Sequence, residues 1–259
     1  TLSETFLTKD SPFSQQFFIK NTTKMVELWR NLPEILKKGP VKFNITEFFK
    51  ERVVHSLAQN TLSGELQKTV EIVSSLPEFK TAKKLLDLGG GHGLYAIAFS
   101  ILNKNLQAFV FDLPGVVEQT KEYLKKYGVE RVHVIPGNFF VDDFGKDYDI
   151  IFSSYNPGGK KLELIPKIYS SLKDGGLYIN KQYFPDKLEK DKTILLDLEW
   201  CLWVFDKEEK GDRIYSFKND ATMDEYLEAL ENIGFKVLKI LDITFADKTS
   251  NKIIICKKQ

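Results

Sequence analysis

Cysteine, methionine and histidine are scarce in this chain of 259 residues, which has two, two and three of them. Cys201 and Cys256 stand far apart, in no CxxC or Cys/His grouping, so neither a disulfide framework nor a metal site is expected, and both read as buried thiols. No run of about 18 apolar residues occurs, and Thr1-Leu2-Ser3-Glu4 is not a basic region followed by an apolar stretch. No membrane partner or signal peptide is therefore expected, and the default location is cytoplasmic. An excess of one charge is missing too: 37 basic residues face 36 acidic ones, which leaves no long-range field to gather nucleic acid. The lysines of Lys187 to Lys192 alternate with Glu and Asp, as on a solvated face. Repeats and low-complexity segments are absent.

What is present is an ordinary globular balance, 42% hydrophobic and 28% charged residues, in a length suited to one α/β domain with an added helical segment. Through residue 80 the apolar positions, among them Phe17, Phe18, Met25, Leu28, Trp29, Leu32, Ile35 and Leu36, recur at spacings of three and four. This predicts a helical segment over 1–80 that serves dimerisation or covers substrate. Leu62 to Leu76 reads as one helix stopping at Pro77, and Glu78 to Lys83 as a linker. Residues 81–259 form the second region. There, short apolar runs (Lys84 to Leu88, Gln107 to Asp112, Val132 to Pro136, Tyr148 to Ser153, Gly176 to Gln182) alternate with helical stretches, which predicts a doubly wound parallel sheet. After a helix at Met223 to Ile233, the runs Phe235 to Ile243 and Lys252 to Lys257 are joined by so short a turn that they must be antiparallel. A mostly parallel α/β sheet with a final antiparallel strand is the arrangement of class I methyltransferases rather than of dinucleotide-binding folds.

The sharpest local feature is Leu85-Leu86-Asp87-Leu88-Gly89-Gly90-Gly91-His92-Gly93, a buried strand entering a glycine turn and then a helix. Such a turn lets backbone amides approach a ligand beside a helix amino end. The spacing is G-x-G-x-G, one residue short of the nucleotide fingerprint, with Asp87 upstream. A carboxylate there balances an ammonium or braces the loop, whereas it repels a pyrophosphate; S-adenosylmethionine is the cofactor this favours. Asp112, followed by Leu113, ends the second strand where a ribose is gripped in open α/β sheets. Asn138 and Phe139 offer an amide and an aromatic face to adenine, and Ser153, Ser154 and Tyr155 reach the same edge.

Together with Thr5-Phe6-Leu7 to Ser11-Pro12, the Trp29 to Gly39 helix, Phe111-Asp112-Leu113-Pro114, Gly137-Asn138-Phe139-Phe140 and Gly234-Phe235, the glycine segment resembles the acetylserotonin and caffeic-acid type of class I O-methyltransferases. The resemblance implies that Gly89, Gly90 and Gly91 contact the methionine moiety, Asp112 the ribose, and Asn138 and Phe139 the adenine. It also implies a homodimer built largely from amino-terminal helices. The chain departs from the family in three places. It looks short of the usual winged-helix dimerisation domain; Asn138 replaces the adenine-binding carboxylate; and Gly158 stands where many plant members carry a basic histidine.

The expected activity is methyl transfer from S-adenosylmethionine to a small apolar or aromatic acceptor, with oxygen the favoured atom. Phe13, Phe17, Trp200 and Trp203 are the candidate acceptor contacts, the last two on a helix read over Thr193 to Phe205. Tyr155 and Lys181 are the candidate catalytic groups, with Tyr183, Asp197 and Glu199 as further bases. Cofactor binding without transfer, a thiol or other non-oxygen nucleophile, and a nicotinamide-dependent oxidoreductase are the alternatives.

Overall fold

The computed structural model describes residues 1–49, 52–185, 192–243 and 251–259. Their strands, in chain order, are β1 (Val41–Phe43), β2 (Lys84–Leu88), β3 (Gln107–Asp112), β4 (Val132–Pro136), β5 (Tyr148–Ser154), β6 (Leu172–Tyr183), β7 (Trp203–Phe205), β8 (Phe235–Ile243) and β9 (Asn251–Lys258). Seven of these form one sheet in the order β4-β3-β2-β5-β6-β9-β8. β2 to β6 are mutually parallel where they pair, and β9 runs antiparallel to both β6 and β8. The central strands are buried on both faces, which is why they read as apolar runs without alternation; Leu85, Leu86, Ile150, Ile151, Ile253 and Ile254 are all buried. Strand order reverses between β2 and β5, and the crevice at their carboxyl ends is where open α/β sheets hold ligands.

Local chemistry explains the helix ends. Pro114–Tyr127 begins with proline at its first position and stops at the left-handed Gly128, as proline's fixed φ and glycine's freedom dictate. Met223–Ile233 starts in a Thr222/Glu225 capping box and ends at Gly234, as expected where the side chains satisfy the first amides.

The chain divides into two compact units, Thr1–Ser63 with Pro185–Asp220, and Gly64–Phe184 with Ala221–Gln259. The division falls elsewhere than at residue 80. The helix Leu66–Ser74 buries Thr69, Val70 and Val73 within the sheet-bearing unit. In the other unit, Leu202 packs with Leu28 and Ile35 of the helices Gln16–Arg30 and Leu32–Lys38. There β1 pairs in parallel with β7, so the first 80 residues are not helical throughout.

Three expected elements differ in detail. Leu62 to Leu76 is a π-helical turn, Thr61–Glu65, followed by the α-helix Leu66–Ser74. The expected linker is largely the helix Pro77–Thr81, for which Pro77 supplies a preorganised first residue. The stretch read as one helix over Thr193 to Phe205 is a helix, Lys192–Cys201, and then β7, whose Trp-Val-Phe sequence suits a strand. Residues 187–191 of the lysine-rich segment and 244–250 of the turn before the last strand lie outside the described residues. Among the described residues, no helix is long and apolar enough to cross a membrane.

Candidate functional site

The glycine turn is held from three sides. The Gly89 amide donates to the Phe111 carbonyl at 2.8 Å, the Gly93 amide to the Gly90 carbonyl at 2.9 Å, and the Thr120 hydroxyl to the Gly91 carbonyl at 2.6 Å. Gly90 is required by close approach, since a Cβ there would lie 2.6 Å from the Asp87 carboxyl carbon. Gly91, at φ +54°, is required by its backbone, and its missing Cβ faces open space. The turn thus turns a bare backbone outward at the strand-order reversal. His92 does not take part as a titrating group: its Nδ1 accepts the Leu94 amide at 3.1 Å, and burial, followed by the charge of Lys181, lowers its pKa to about 3.

Two carboxylates flank this turn. Asp87 is buried, and neither of its oxygens has a hydrogen-bond partner among the described residues. Burial raises its pKa to about 7; the nearby Ala96 amide, short of hydrogen-bond geometry, and Lys181 pull it down, while Asp112 pushes it up. Asp112 accepts the Gly91 amide at 2.8 Å and the Leu113 amide at 2.7 Å. Burial lifts its pKa to about 6 against those two bonds. Asp112 is no helix cap, because Leu113 holds the cap position of the following helix without a side-chain bond.

At the next strand ends, Asn138 Oδ1 accepts the Phe140 amide at 3.0 Å, and the Phe139 ring lies 4.8 Å from that of Phe140. Ser153 is buried, Ser154 half-buried. Tyr155 is 38% exposed in a left-handed conformation, φ 50°; its hydroxyl donates to Asn251 Oδ1 at 2.7 Å. Lys181 is fully buried. Its ammonium donates to Glu65 and to the Tyr95 hydroxyl, each at 2.5 Å, and lies 4.7 Å from the Tyr155 ring centre. Burial lowers its pKa to about 8, with Glu65 opposing.

Sequence reasoning missed Asn156. Its Nδ2 donates to the Leu88 carbonyl at 2.6 Å and to Ser153 Oγ at 2.8 Å, while its Oδ1 accepts the Gly158 amide at 3.0 Å. One side chain so ties the end of β2 to the end of β5. The signal was Asn156-Pro157-Gly158, a turn-forming run whose asparagine caps its own loop. Glu65 and Tyr95 carry no such signal, since they meet Lys181 only through the fold. Gly158 is sealed: a Cβ would come 2.4 Å from Leu164 Cδ1 and 2.9 Å from the Phe139 ring, so no histidine fits there without repacking.

The remaining candidates belong to the other unit, apart from the buried Tyr183. Phe13 and Phe17 are 47% and 36% exposed, with Phe17 against the His55 ring at 4.9 Å. Trp200 and Trp203 pack edge to face at 5.1 Å under the Lys210 ammonium, which sits 3.4 Å from the Trp200 ring centre with no hydrogen-bond partner among the described residues. Asp197 accepts the Tyr215 amide and Glu199 the Trp29 indole, so both are engaged locally. Cys256 is buried as expected, but Cys201 is exposed, because it ends the helix just before β7 turns inward.

The model of the O-methyltransferase domain family matches residues 42–180. The chain belongs to this family. It is 44% identical over 94% of its length to an uncharacterized protein of Methanocaldococcus jannaschii, of which it covers 66%. To the acetylserotonin O-methyltransferase of Gallus gallus it is 26% identical, over 92% of this chain and 70% of that one. It thus spans about two thirds of the length of these relatives. Human N-acetylserotonin methyltransferase, solved in complex with SAM, shares the fold at a TM-score of 0.71 and 19% identity, over 99% of this chain and 74% of that one.

Proposed function

We propose that this O-methyltransferase family chain binds S-adenosylmethionine at the Gly89–Gly91 turn and directs its methyl group to a small apolar or aromatic acceptor, with oxygen the favoured atom. One observation carries the reading: a bare backbone faces open space at the strand-order reversal, between the buried Asp87 and the half-buried Asp112, neither of which is hydrogen-bonded to a cation among the described residues. Such a site suits a ligand with more positive than negative charge, which an amino acid bearing a sulfonium is. When bound, the cofactor supplies an electrophilic methyl carbon on positively charged sulfur.

In this reading Asp87 offers its charge to the ammonium, and the amides of Gly89, Gly90 and Gly91 meet the amino-acid end. Asp112, whose oxygens keep lone pairs beyond the two loop amides, accepts the ribose hydroxyls, with Leu113 beside it. Asn138 presents its amide and Phe139 its ring to adenine; Ser153 and Ser154 line the strand ends. Tyr155 stands on the acceptor side, whereas Lys181 is engaged by Glu65 and is not presented as a base. Phe13, Phe17, Trp200 and Trp203 are proposed as acceptor contacts for their aromatic surface. Rate then comes from orientation and exclusion of water. The chain is further proposed to act as a cytoplasmic homodimer, tested by sedimentation of the purified protein.

The sealed Gly158 favours a second reading, binding of the cofactor without transfer. Calorimetry with S-adenosylhomocysteine and with NAD tests the first claim: binding of the former alone is expected, and binding of NAD alone overturns it. Formation of S-adenosylhomocysteine with a panel of phenols and thiols separates transfer from binding.

A further inference from the structure

The buried cluster behind the glycine turn is larger than cofactor contacts require. Lys181 leaves β6 opposite Ser154 and brings its ammonium to three side chains at once. It meets Glu65, at the head of the helix Leu66–Ser74; Thr69, one turn further, at 3.3 Å; and Tyr95, in the first turn of the helix Leu94–Leu102. The Tyr95 hydroxyl in turn donates to Glu65 at 2.7 Å, which closes a triangle. The Tyr155 amide donates to the Lys181 carbonyl at 2.9 Å, and the Tyr155 ring lies over the same ammonium. A lysine without exposure costs several kcal/mol unless its bonds are made, so this arrangement is specific and not a surface pair.

We propose that Lys181 is a positioning residue for the cofactor: one buried cation fastens the helix that follows the glycine turn, and Tyr155 beside it, to Glu65. The inference rests on the cofactor reading above. The groups facing Asp87 are Asp112 from β3, His92 from the turn, Ala96 through its amide and Lys181 from β6; β5 contributes Phe152, which is uncharged. Those facing Lys181 are Glu65, Tyr95, Tyr155, Asp87 and His92. With His92 neutral, Lys181 is the only full positive charge among the groups named around Asp87.

The sign follows. Asp87 must be ionised to meet an ammonium, so affinity falls as pH drops through the carboxyl's pKa, about 7. Removing Lys181 raises that pKa and moves the midpoint upward. The test is calorimetry of S-adenosylhomocysteine binding to the full chain from pH 5.5 to 9, for wild type, Lys181→Met and Tyr95→Phe. For Lys181→Met the midpoint is expected to move upward, with an affinity loss of roughly fivefold at pH 7. Tyr95→Phe keeps the charge and cuts the link to the turn, so a loss of a few fold at every pH is expected, with the midpoint unmoved. A lowered melting temperature with unchanged affinity and midpoint in Lys181→Met makes the lysine merely structural and overturns the inference alone. Should that variant not fold, unchanged affinity in Tyr95→Phe overturns it. Absence of binding by wild type overturns the cofactor reading, and this inference with it.

Discussion

Asp87 shows how a single residue is kept for use at a cost in stability. Its folded pKa, about 7, lies above the 3.8 of an ordinary aspartate, so the folded protein holds that proton more tightly than the unfolded chain. Its contribution is therefore neutral below about pH 4, turns unfavourable as pH rises to about 7, and stays so above; the ceiling is on the order of 4 kcal/mol. Asp87→Asn is expected to stabilise the ligand-free protein by about 1–3 kcal/mol at pH 8 and by little at pH 4, while weakening S-adenosylhomocysteine binding. Urea unfolding at the two pH values checks the first half, and calorimetry the second. At Gly90 the argument is steric: Gly90→Ala drives a methyl group into the Asp87 carboxyl and is expected to cost about 1–3 kcal/mol in urea unfolding, with loss of cofactor affinity.

Among the elements, the turn Asn156 to Lys160 decides what the strand ends can do. Asn156→Ala removes three hydrogen bonds, two of them to buried groups of β2 and β5, so an unfolding cost of about 2–4 kcal/mol is expected. Gly158→His is expected to lower the melting temperature without creating a base, because Leu164 and Phe139 fill the space its side chain needs; a methyl-transfer rate raised by this change would contradict that packing. The strands of the sheet were legible because buried parallel strands are continuous apolar runs, as in Leu85-Leu86 and Ile253-Ile254-Ile255. The break of Thr193 to Phe205 into helix and strand was not, since Trp203-Val204-Phe205 satisfies either period until β1 pairs with it.

For the molecule as a whole, ligand binding and stability are linked. A ligand held only by the folded state adds about 2.7 kcal/mol at a hundred times its Kd, so S-adenosylhomocysteine is expected to raise the unfolding midpoint, and NAD to leave it in place. Asp87→Asn should show a smaller rise than wild type at pH 8, which thermal denaturation reads directly. The two units are woven from four chain segments, so the segment around Trp200 completes a core begun by Leu28 and Ile35 although about 170 residues separate them.

The sequence alone was enough for the fold class, the glycine turn and its two carboxylates, because these depend on periodicity and spacing within some 30 residues. Only the tertiary structure decided that Lys181 is tied to Glu65 and Tyr95, that Gly158 is sealed, that Cys201 is exposed and where the two units divide. Each of these depends on side chains distant in sequence that compete for one volume or one charge, and no local pattern records that competition.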